Sequence, residues 1–569
     1  MNSKPEMTVA QAGAKIMKAY DAEHIFTVAG NPLNLLYHAK HDEGIDIVLG
    51  RSERSALAMA DAYARMTGKP TFGFVQWGPG AAALPAVFAE ATWGRSPFIC
   101  LTGSVVSGTR HLFQYQEIEQ LPMMATSTKW SGVLPNPDRI ADIMRTAIRA
   151  SISGNPGPAY LEMPADMYAK KLTKTPDFHA DADLAYVNHR RISASPNDIE
   201  KIVSHLSGSA NPVFVFGGGT VQSSAFDEAA ALVKALGIPV VTSVAGKGIV
   251  AETDPLAAGV GGRYSRKVAN EVLGMSDLVI AVGTRLSAMG TLNYQYPRPG
   301  TKIIHIDIDP MSMGNTYVEE LAIQADAKLA LAALGDAADQ AGLSRGNWSD
   351  WSSTVESMIS EWKEKYRKAA ETKTADGRLN PIFVMSQLDK FVQGDDVMVA
   401  DTGNMTRWAG TMIDQKQAGL CNLRAAGSLG WSFPAAFGAK VAVGQNRRVL
   451  SLNGDGGMGY HIGEIETGLR LDLPVISLVL NNAGFAGYTG LLKNNLGFDP
   501  KPTPELSEFV DLDFGQIAKG YGAHGERVED PGEVEPALRR AVSSGKPAII
   551  DFAVSGNVSA PGMGMQREL

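Results

Sequence analysis

Two polar residues, Asp455 and Asn482, each come after an apolar run that is typical of a buried β-strand. The runs cover residues 449–452 and 474–480, and apolar side chains recur at helical spacing in the segment 461–472 between them. A strand, a helix and a strand in this order indicate a parallel crossover. Both polar side chains are then expected at the carboxyl ends of neighbouring strands, where open α/β sheets bind ligands.

These two side chains offer a carboxylate and an amide oxygen, which are ligands that Mg²⁺ prefers. The glycines on either side of Asp455 let the backbone approach a phosphate group closely. In the alternative interpretation, Asp455 and Asn482 only form turns after their strands. A Gly-Asp-Gly sequence alone favours that alternative, so its spacing and the further motifs decide between the two.

The pattern of Gly-Asp-Gly followed by Asn-Asn, with Asp455 and Asn482 27 residues apart, resembles the signature of thiamine-diphosphate (ThDP) enzymes. The resemblance implies that Asp455, Asn482 and Gly484 bind Mg²⁺. It also implies that Asp455, Asn482, Gly456 and Gly457 contact the cofactor.

Length and composition limit the other function classes. At 569 residues the chain is too long for one core, and it predicts about three domains. The formal net charge of −8 argues against a nucleic-acid partner. Only Cys100 and Cys421 are cysteines, so neither a disulfide framework nor a metal cluster is expected, and the cytoplasm is the expected location. The N-terminal residues lack the apolar core of a signal peptide, and no apolar stretch is long enough for a membrane span.

Two polar stretches are predicted to be linkers. Residues 173–190 show little periodicity, and residues 335–379 are mostly charged and polar apart from one helical patch near 351–366. Strands alternating with helices elsewhere predict an α/β fold of three doubly wound parallel-sheet domains. With names taken from the resemblance, these are a pyrimidine-binding domain (1–175), a Rossmann-like middle domain (191–335) and a diphosphate- and Mg-binding domain (378–555), followed by a tail (556–569). The first and third domains both end in a glycine, a proline turn and an apolar strand, which fits two related domains.

The middle domain has glycines 217–219 directly after an apolar strand. Such turns suit a nucleotide, but tight structural turns need the same residues. The related enzymes hold FAD, ADP or nothing in this domain, and all three alternatives stay open. Arg285 and Asp307 are the positions to examine for a nucleotide.

Glu53 is the candidate for the carboxylate that activates ThDP. It follows the strand 45–49 and begins a helical pattern that ends at Gly68. A glutamate in a first helical turn also complements the helix dipole, which is the simpler explanation. The resemblance of this segment to the glutamate-bearing helix of ThDP enzymes implies the catalytic role.

The turn at residues 77–80 resembles the Gly-Pro-Gly turn of acetolactate synthases, which implies that Pro79 contacts the cofactor. Gln76 occupies the place of a histidine in other family members, and the chain contains no His-His pair. Proton transfers are therefore expected to fall to the cofactor's own amine or to ordered water. Tyr115-Gln116-Glu117 resembles the Phe-Gln-Glu stretch in which the glutamine hydrogen-bonds to reaction intermediates. Gln116 is therefore a candidate catalytic residue, with a solvated polar turn as the alternative.

Two further turns of the third domain resemble cofactor-binding turns. One implies contacts to the terminal phosphate from four consecutive residues: Thr402, Gly403, Asn404 and Met405. The other implies contacts from Gly427 and from Leu429, which would wedge between the two rings of the cofactor and impose its bent shape.

The resemblance covers roughly residues 8–555, lies nearest the acetolactate synthase-like group, and implies a homodimeric or homotetrameric enzyme. It would make or break a carbon–carbon bond next to the carbonyl of a 2-oxo acid or an aldehyde. Leu491 stands where a tryptophan shapes the acceptor pocket of acetolactate synthases, which places acetolactate formation in doubt. The alternative is an enzyme that acts on acyl-CoA thioesters, like 2-hydroxyacyl-CoA lyases and oxalyl-CoA decarboxylases. A non-catalytic scaffold would not need Glu53, Asp455 and Asn482 together.

The tail 556–569 is expected to act as a lid, against the alternative of a frayed terminus.

Overall fold

The computed structural model describes residues 7–180, 187, 190–486, 492–493 and 495–561. Its strands form three parallel six-stranded sheets that alternate with helices, which confirms the predicted fold class. The chain divides into two compact units. The first comprises Met1–Arg190, Ala425–Asn446 and His461–Leu473, and the second Arg191–Arg424, Arg447–Tyr460 and Pro474–Leu569. The predicted domain boundaries stay predictions.

The first sheet belongs to the first unit and has the strand order β2-β1-β3-β4-β6-β5. Its strands are β1 (His24–Thr27), β2 (Asp46–Leu49), β3 (Thr71–Val75), β4 (Phe98–Ser104), β5 (Trp130–Val133) and β6 (Ala159–Pro164). The helices are α1 (Val9–Ala19), α2 (Asn34–His41), α3 (Glu53–Thr67), α4 (Pro79–Ala82), α5 (Pro85–Gly94), α6 (Gln120–Ala125) and α7 (Ile140–Ile152). β4 and β6 are buried along their whole length, as expected of strands covered by helices on both faces.

The second sheet belongs to the second unit and has the order β12-β11-β10-β7-β8-β9. Its strands are β7 (Pro212–Phe216), β8 (Val240–Thr242), β9 (Ala257–Val260), β10 (Leu278–Val282), β11 (Lys302–Asp307) and β12 (Leu321–Gln324). The helices are α8 (Pro196–Ser207), α9 (Gly218–Gln222), α10 (Phe226–Leu236), α11 (Lys267–Met275), α12 (Ala327–Gln340) and α13 (Ser349–Ala370).

The third sheet has the order β14-β13-β15-β16-β18-β17 and repeats the strand order of the first sheet. Its strands are β13 (Val397–Ala400), β14 (Asn422–Arg424), β15 (Val449–Gly454), β16 (Val475–Asn481), β17 (His524–Val528) and β18 (Ala548–Ala553). The helices along this part of the chain are α14 (Pro381–Phe391), α15 (Asn404–Met412), α16 (Ser432–Val443), α17 (Asp455–His461), α18 (Ile465–Arg470), α19 (Phe514–Tyr521) and α20 (Val534–Ser544). The shared order agrees with the two related domains indicated by the sequence.

The polar stretch 335–379 is mostly helix, which is more than the single helical patch predicted near 351–366, and its role as a linker stays a prediction. α12 continues to Gln340, and α13 fills most of the rest. Trp351, Val355 and Ile359 of α13 are buried in the apolar core of the second sheet. They lie four residues apart on one face of a helix that also carries many charged residues, which keeps the mean polarity of the segment high.

The crossover between β15 and β16 also begins earlier than predicted. The predicted helix starts at residue 461, whereas α17 begins at Asp455 itself. Glycines 456, 457 and 459 lower the intrinsic helix propensity of this turn, so the sequence pattern does not reveal it. No helix in the described part of the chain is both long enough and apolar enough to span a bilayer.

Candidate active site

Three neighbouring strands of the third sheet end in the predicted cofactor residues. β13, β15 and β16 are adjacent and parallel, and Gly454 of β15 pairs with Leu480 of β16. Their carboxyl ends therefore bring together the segments 401–405, 455–457 and 482–484, all within the second unit. This edge has the topology that binds ligands in open α/β sheets.

Asp455 is a buried carboxylate at this edge, with only 7% of its surface exposed. Its Oδ2 accepts a hydrogen bond of 2.6 Å from the backbone N–H of Gly484. Burial raises the pKa of Asp455 to about 6, against the opposing effect of the Gly484 and Gly456 amides. A cation bound to this carboxylate would offset the cost of burying its charge.

Asn482 and Gly484 follow β16, and Gly484 forms an isolated bridge with Glu508. Among the described residues, no group of three or more His, Cys, Asp or Glu side chains forms a metal cluster. One carboxylate, one amide and a backbone carbonyl form a hard oxygen set, which fits Mg²⁺ with its remaining positions on diphosphate and water. The residues at this edge therefore fit the predicted ion.

The segment 401–405 offers an open cradle at the end of β13. Gly403 has φ +68°, and a Cβ atom placed there would meet nothing within 4 Å. Thr402 precedes this glycine, and α15 begins at Asn404. The Asn404 side chain donates to the Ala486 carbonyl over 3.2 Å, and the Met405 side chain is buried. The free space beside Gly403 and the helix N-terminus suit a phosphate group.

The turn with Gly427 and Leu429 belongs to the first unit, where Glu90 holds its backbone. Glu90 Oε1 accepts from the N–H of Ala426 over 2.5 Å, and Oε2 accepts from the N–H groups of Gly427 and Ser428, each over 3.0 Å. Leu429, the residue expected to wedge the cofactor, is half-buried directly after these three anchored amides.

A buried charge network supports the same turn. Arg65 Nη2 lies 2.6 Å from Asp61 Oδ2 and 3.2 Å from Glu90 Oε1. The indole N–H of Trp431 donates to Asp61 over 2.9 Å, and the Arg65 guanidinium stacks 4.7 Å from the Trp431 ring centroid. Burial raises the pKa of Asp61 and Arg65 opposes this, as expected for a carboxylate that stays charged only with a partner. Asp61 and Arg65 belong to α3, the helix that begins at Glu53.

Glu53 is the first residue of α3, which Ser52 caps by accepting from the backbone N–H of Ser55. A Cβ atom at Gly80 would lie 3.2 Å from Glu53 Oε1, so the carboxylate rests against the turn that contains Pro79. Among the described residues, no hydrogen bond to the Glu53 side chain is formed. The structure thus brings the catalytic candidate and the Gly-Pro-Gly turn together.

Gln116 lies beside the same turn. Gln76 Nε2 donates to Gln116 Oε1 over 2.5 Å, and a Cβ atom at Gly78 would lie 2.3 Å from the Gln116 carbonyl oxygen. Gln120, 2% exposed, accepts from the Gly78 N–H over 2.6 Å and donates to the Gly103 carbonyl. The segments after β3 and β4 are therefore interlocked at the carboxyl edge of the first sheet.

Three family models match the chain in succession. The N-terminal TPP binding domain of thiamine pyrophosphate enzymes matches residues 7–123, the central domain 199–334 and the C-terminal TPP binding domain 401–552. The chain belongs to the thiamine pyrophosphate enzymes. This confirms the prediction of a ThDP-dependent enzyme, made from Gly-Asp-Gly and Asn-Asn.

Several relatives of this thiamine pyrophosphate enzyme align over nearly its whole length. A probable acetolactate synthase large subunit of Methanococcus aeolicus is 29% identical over 96% of this chain and 92% of the relative. A probable acetolactate synthase large subunit of Methanocaldococcus jannaschii is 29% identical over 98% of this chain and 93% of the relative. Sulfoacetaldehyde acetyltransferase of Castellaniella defragrans is 27% identical over 95% and 91%. The chain is thus similar to the acetolactate synthase-like group, as predicted.

Close backbone packing explains the glycines at 217–219 in the middle domain of this thiamine pyrophosphate enzyme. A Cβ atom at Gly217 would lie 2.1 Å from the Gly283 carbonyl oxygen, and one at Gly219 would lie 2.8 Å from Gly283 Cα. The turns after β7 and β10 therefore touch through backbone. Asp307 is the last residue of β11, and Arg285 follows the adjacent strand β10, so both lie at the same edge of the sheet. FAD or ADP binding there stays a prediction.

The described part of the tail, residues 556–561, is attached to the third sheet domain. A Cβ atom at Gly556 would lie 3.4 Å from Asn482 Nδ2. Ala560 is 4% exposed, and the Pro561 carbonyl accepts from Arg407 Nε over 3.1 Å. Residues 562–569 and Leu491 lie outside the described residues. The role of the tail as a lid therefore stays a prediction, as does the effect of Leu491 on the acceptor pocket.

Sequence reasoning missed the residues that hold the candidate cofactor turns in place, notably Glu90, Gln120, Asp61 and Arg65. In the sequence, Glu90 stands in the apolar helix segment 85–94, where a lone acid needs a partner once it is buried. That signal indicates a buried pair, but the three amides it holds are more than 330 residues away.

Proposed function

We propose that this chain is a Mg²⁺-dependent ThDP enzyme that cleaves or forms a carbon–carbon bond next to the carbonyl of a 2-oxo acid. The observation that carries the proposal is the third-sheet edge, where buried Asp455 and half-buried Asn482 follow adjacent strands beside the open Gly403 turn. Such an edge suits a diphosphate neutralised by a divalent cation.

The roles follow from chemistry and position. Asp455 and Asn482, with the Gly484 carbonyl, would hold Mg²⁺, and the amides of Gly456 and Gly457 would face the diphosphate. Thr402, Gly403, Asn404 and Met405 would receive its terminal phosphate end. When bound, ThDP supplies a nucleophilic ring carbon and an electron sink for the bond that breaks.

In the first unit, Glu53 would hold and donate a proton at its carboxyl oxygen, next to Pro79 and Gly80. Gly427 and Leu429 would set the cofactor shape through the turn that Glu90 holds. Gln116 would bind substrate oxygen.

The side chains at the first-sheet edge support the proposed substrate class. Segments 76–80 and 115–117 contain amide side chains and no histidine. Amides bind oxygen atoms but do not exchange protons near neutral pH, which fits a 2-oxo acid whose CO₂ departure needs no protein acid. We further propose a cytoplasmic homodimer or homotetramer, as in the acetolactate synthase-like pattern. Acyl-CoA thioesters remain the alternative substrate.

The test uses the full-length protein with ThDP, with Mg²⁺ or with a chelator in its place. A panel of 2-oxo acids and a panel of 2-hydroxyacyl-CoA esters are assayed for CO₂ and aldehyde release. We expect Mg²⁺-dependent turnover of a 2-oxo acid. Turnover confined to the CoA esters would establish the alternative, and ThDP-dependent turnover that resists chelation would exclude the metal assignment.

A further inference from the structure

Two side-chain amides and one backbone amide form a chain of hydrogen bonds at the first-sheet edge. The backbone N–H of Asn31 donates to Gln76 Oε1 over 3.2 Å. Gln76 Nε2 then donates to Gln116 Oε1 over 2.5 Å. Because a backbone N–H only donates, it fixes which end of the Gln76 amide faces Asn31. The nitrogen of Gln76 must then face Gln116, and Gln116 must meet it with its oxygen.

This order leaves the Gln116 NH₂ group as the free end of the chain. In the described part of the protein, Gln116 Nε2 makes no hydrogen bond, and the side chain is half-buried rather than enclosed. A donor in this position is matched by an oxygen atom of a ligand. Neither amide titrates, so its donor direction is the same throughout the ordinary pH range.

The backbone at Gln116 is strained, and glycines make room for both glutamines. Gln116 has φ +63°, a left-handed conformation that costs a non-glycine residue free energy. Gly78 permits it, because a Cβ atom there would lie 2.3 Å from the Gln116 carbonyl oxygen. Gly30 likewise allows Gln76 to approach, since its Cβ atom would lie 2.5 Å from Gln76 Cβ. Strained residues that are held this firmly cluster at functional sites.

We propose that Gln76 is a positioning residue that orients the Gln116 carboxamide, so that its NH₂ group donates to a carboxylate or carbonyl oxygen of the substrate. This inference rests on the proposed function and adds the residue that sets the recognition of oxo-acid oxygen. Gln76 acts only through Gln116, so its effect depends on Gln116 being present.

The test reverses the chain with Gln76→Glu. The introduced carboxylate still accepts from Asn31 N–H but cannot donate to Gln116, so the Gln116 amide turns and presents its oxygen. We expect KM for the 2-oxo acid to rise about 10- to 100-fold, because the substrate loses one hydrogen bond to its charged group. The calorimetric dissociation constant of a non-reacting 2-hydroxy acid should weaken by a similar factor, while ThDP affinity stays unchanged. Gln76→Leu should raise KM less, since Gln116 can then adopt either orientation.

A double-mutant cycle separates orientation from a general defect. Gln116→Leu removes the donor, so adding Gln76→Glu should cost nothing further. Gln114→Glu is the matched control, because Gln114 lies in the same loop and its side-chain amide bonds only to Val106 among the described residues. Full additivity of Gln76→Glu and Gln116→Leu, or equal loss with Gln114→Glu, would overturn the inference. If the wild-type protein has no ThDP-dependent turnover, the proposed function fails instead, and the 2-hydroxy acid titration still tests the orientation.

Discussion

The clamp that Glu90 forms on residues 426–428 predicts a defined loss when its charge is removed. Glu90→Gln keeps the shape of the side chain but replaces one acceptor oxygen with an NH₂ group. That NH₂ group then faces a backbone N–H at the turn, and Arg65 loses its ion pair with Glu90 while it keeps the one with Asp61.

The magnitude follows from the contacts that are lost. Glu90 is 2% exposed and accepts three backbone hydrogen bonds as well as the Arg65 contact. At least one hydrogen bond to a charged group disappears, at about 1.5–3 kcal/mol. Breaking a buried ion pair by changing one partner costs about 3–5 kcal/mol. Both figures count some of the same lost interactions, so they are not added. We expect the free energy of unfolding to fall by about 3–5 kcal/mol.

The assay is thermal unfolding with and without ThDP, together with calorimetric titration of ThDP. Glu90→Gln should lower Tm by roughly 5–15 °C and weaken ThDP binding through the turn that carries Leu429. Glu466→Gln is the control, because Glu466 pairs with Arg470 at a half-exposed position, where such pairs contribute about 0–1 kcal/mol. If Glu90→Gln unfolds within 1 °C of this control and binds ThDP equally well, the clamp does not act as described.

Three further predictions concern the proposed cofactor residues. Glu53→Gln should leave unfolding unchanged and reduce kcat by ~10²-fold or more, the size of a lost general acid; wild-type turnover at saturating ThDP would remove Glu53 from the mechanism. Asp455→Ala should abolish Mg²⁺-dependent ThDP retention, and an unchanged ThDP affinity by calorimetry would exclude the metal role. Mixing the inactive Glu53→Gln and Asp455→Ala proteins should restore part of the activity by subunit exchange; a fully active monomer in sedimentation would refute this.

The sheet edge around Asp455 could be predicted from the sequence because its signals are local. The apolar runs of β15 and β16 match a buried strand pattern, and a parallel crossover fixes where their carboxyl ends meet. The start of α17 at Asp455 could not be predicted, because local helix propensity is low there and tertiary packing decides. The stretch that contains α13 was predicted to be a linker with only one helical patch, because charged residues dominate its average composition even though one face of the 22-residue helix is buried.

The contacts that orient the candidate side chains were not predictable in the same way. Gln116 was found by its motif, but its partner Gln76 is 40 residues away, and their contact depends on two irregular loops. Glu90 and the 426–428 amides are separated by more than 330 residues. Such pairs leave no periodic signal, because they depend on how distant segments pack rather than on local pattern.

His461 predicts a pH dependence of stability. Burial lowers the pKa of His461 to about 4, and the nearby Arg54 acts in the same direction. The unfolded chain binds a proton here near pH 6.5, while the folded chain does not until about pH 4. Between these values the unfolded state binds more protons, so the free energy of unfolding falls as the pH falls.

The shift of the His461 pKa corresponds to at most about 3.4 kcal/mol, at 1.36 kcal/mol per pKa unit. The actual contribution is smaller because the ring is partly exposed. We expect Tm of the wild-type protein to decrease from pH 6.5 to pH 4.5, and His461→Gln to make this decrease shallower. His179→Gln, at an exposed position, should keep the wild-type profile. Parallel Tm profiles for the wild type and His461→Gln would show that another group causes the acid destabilisation.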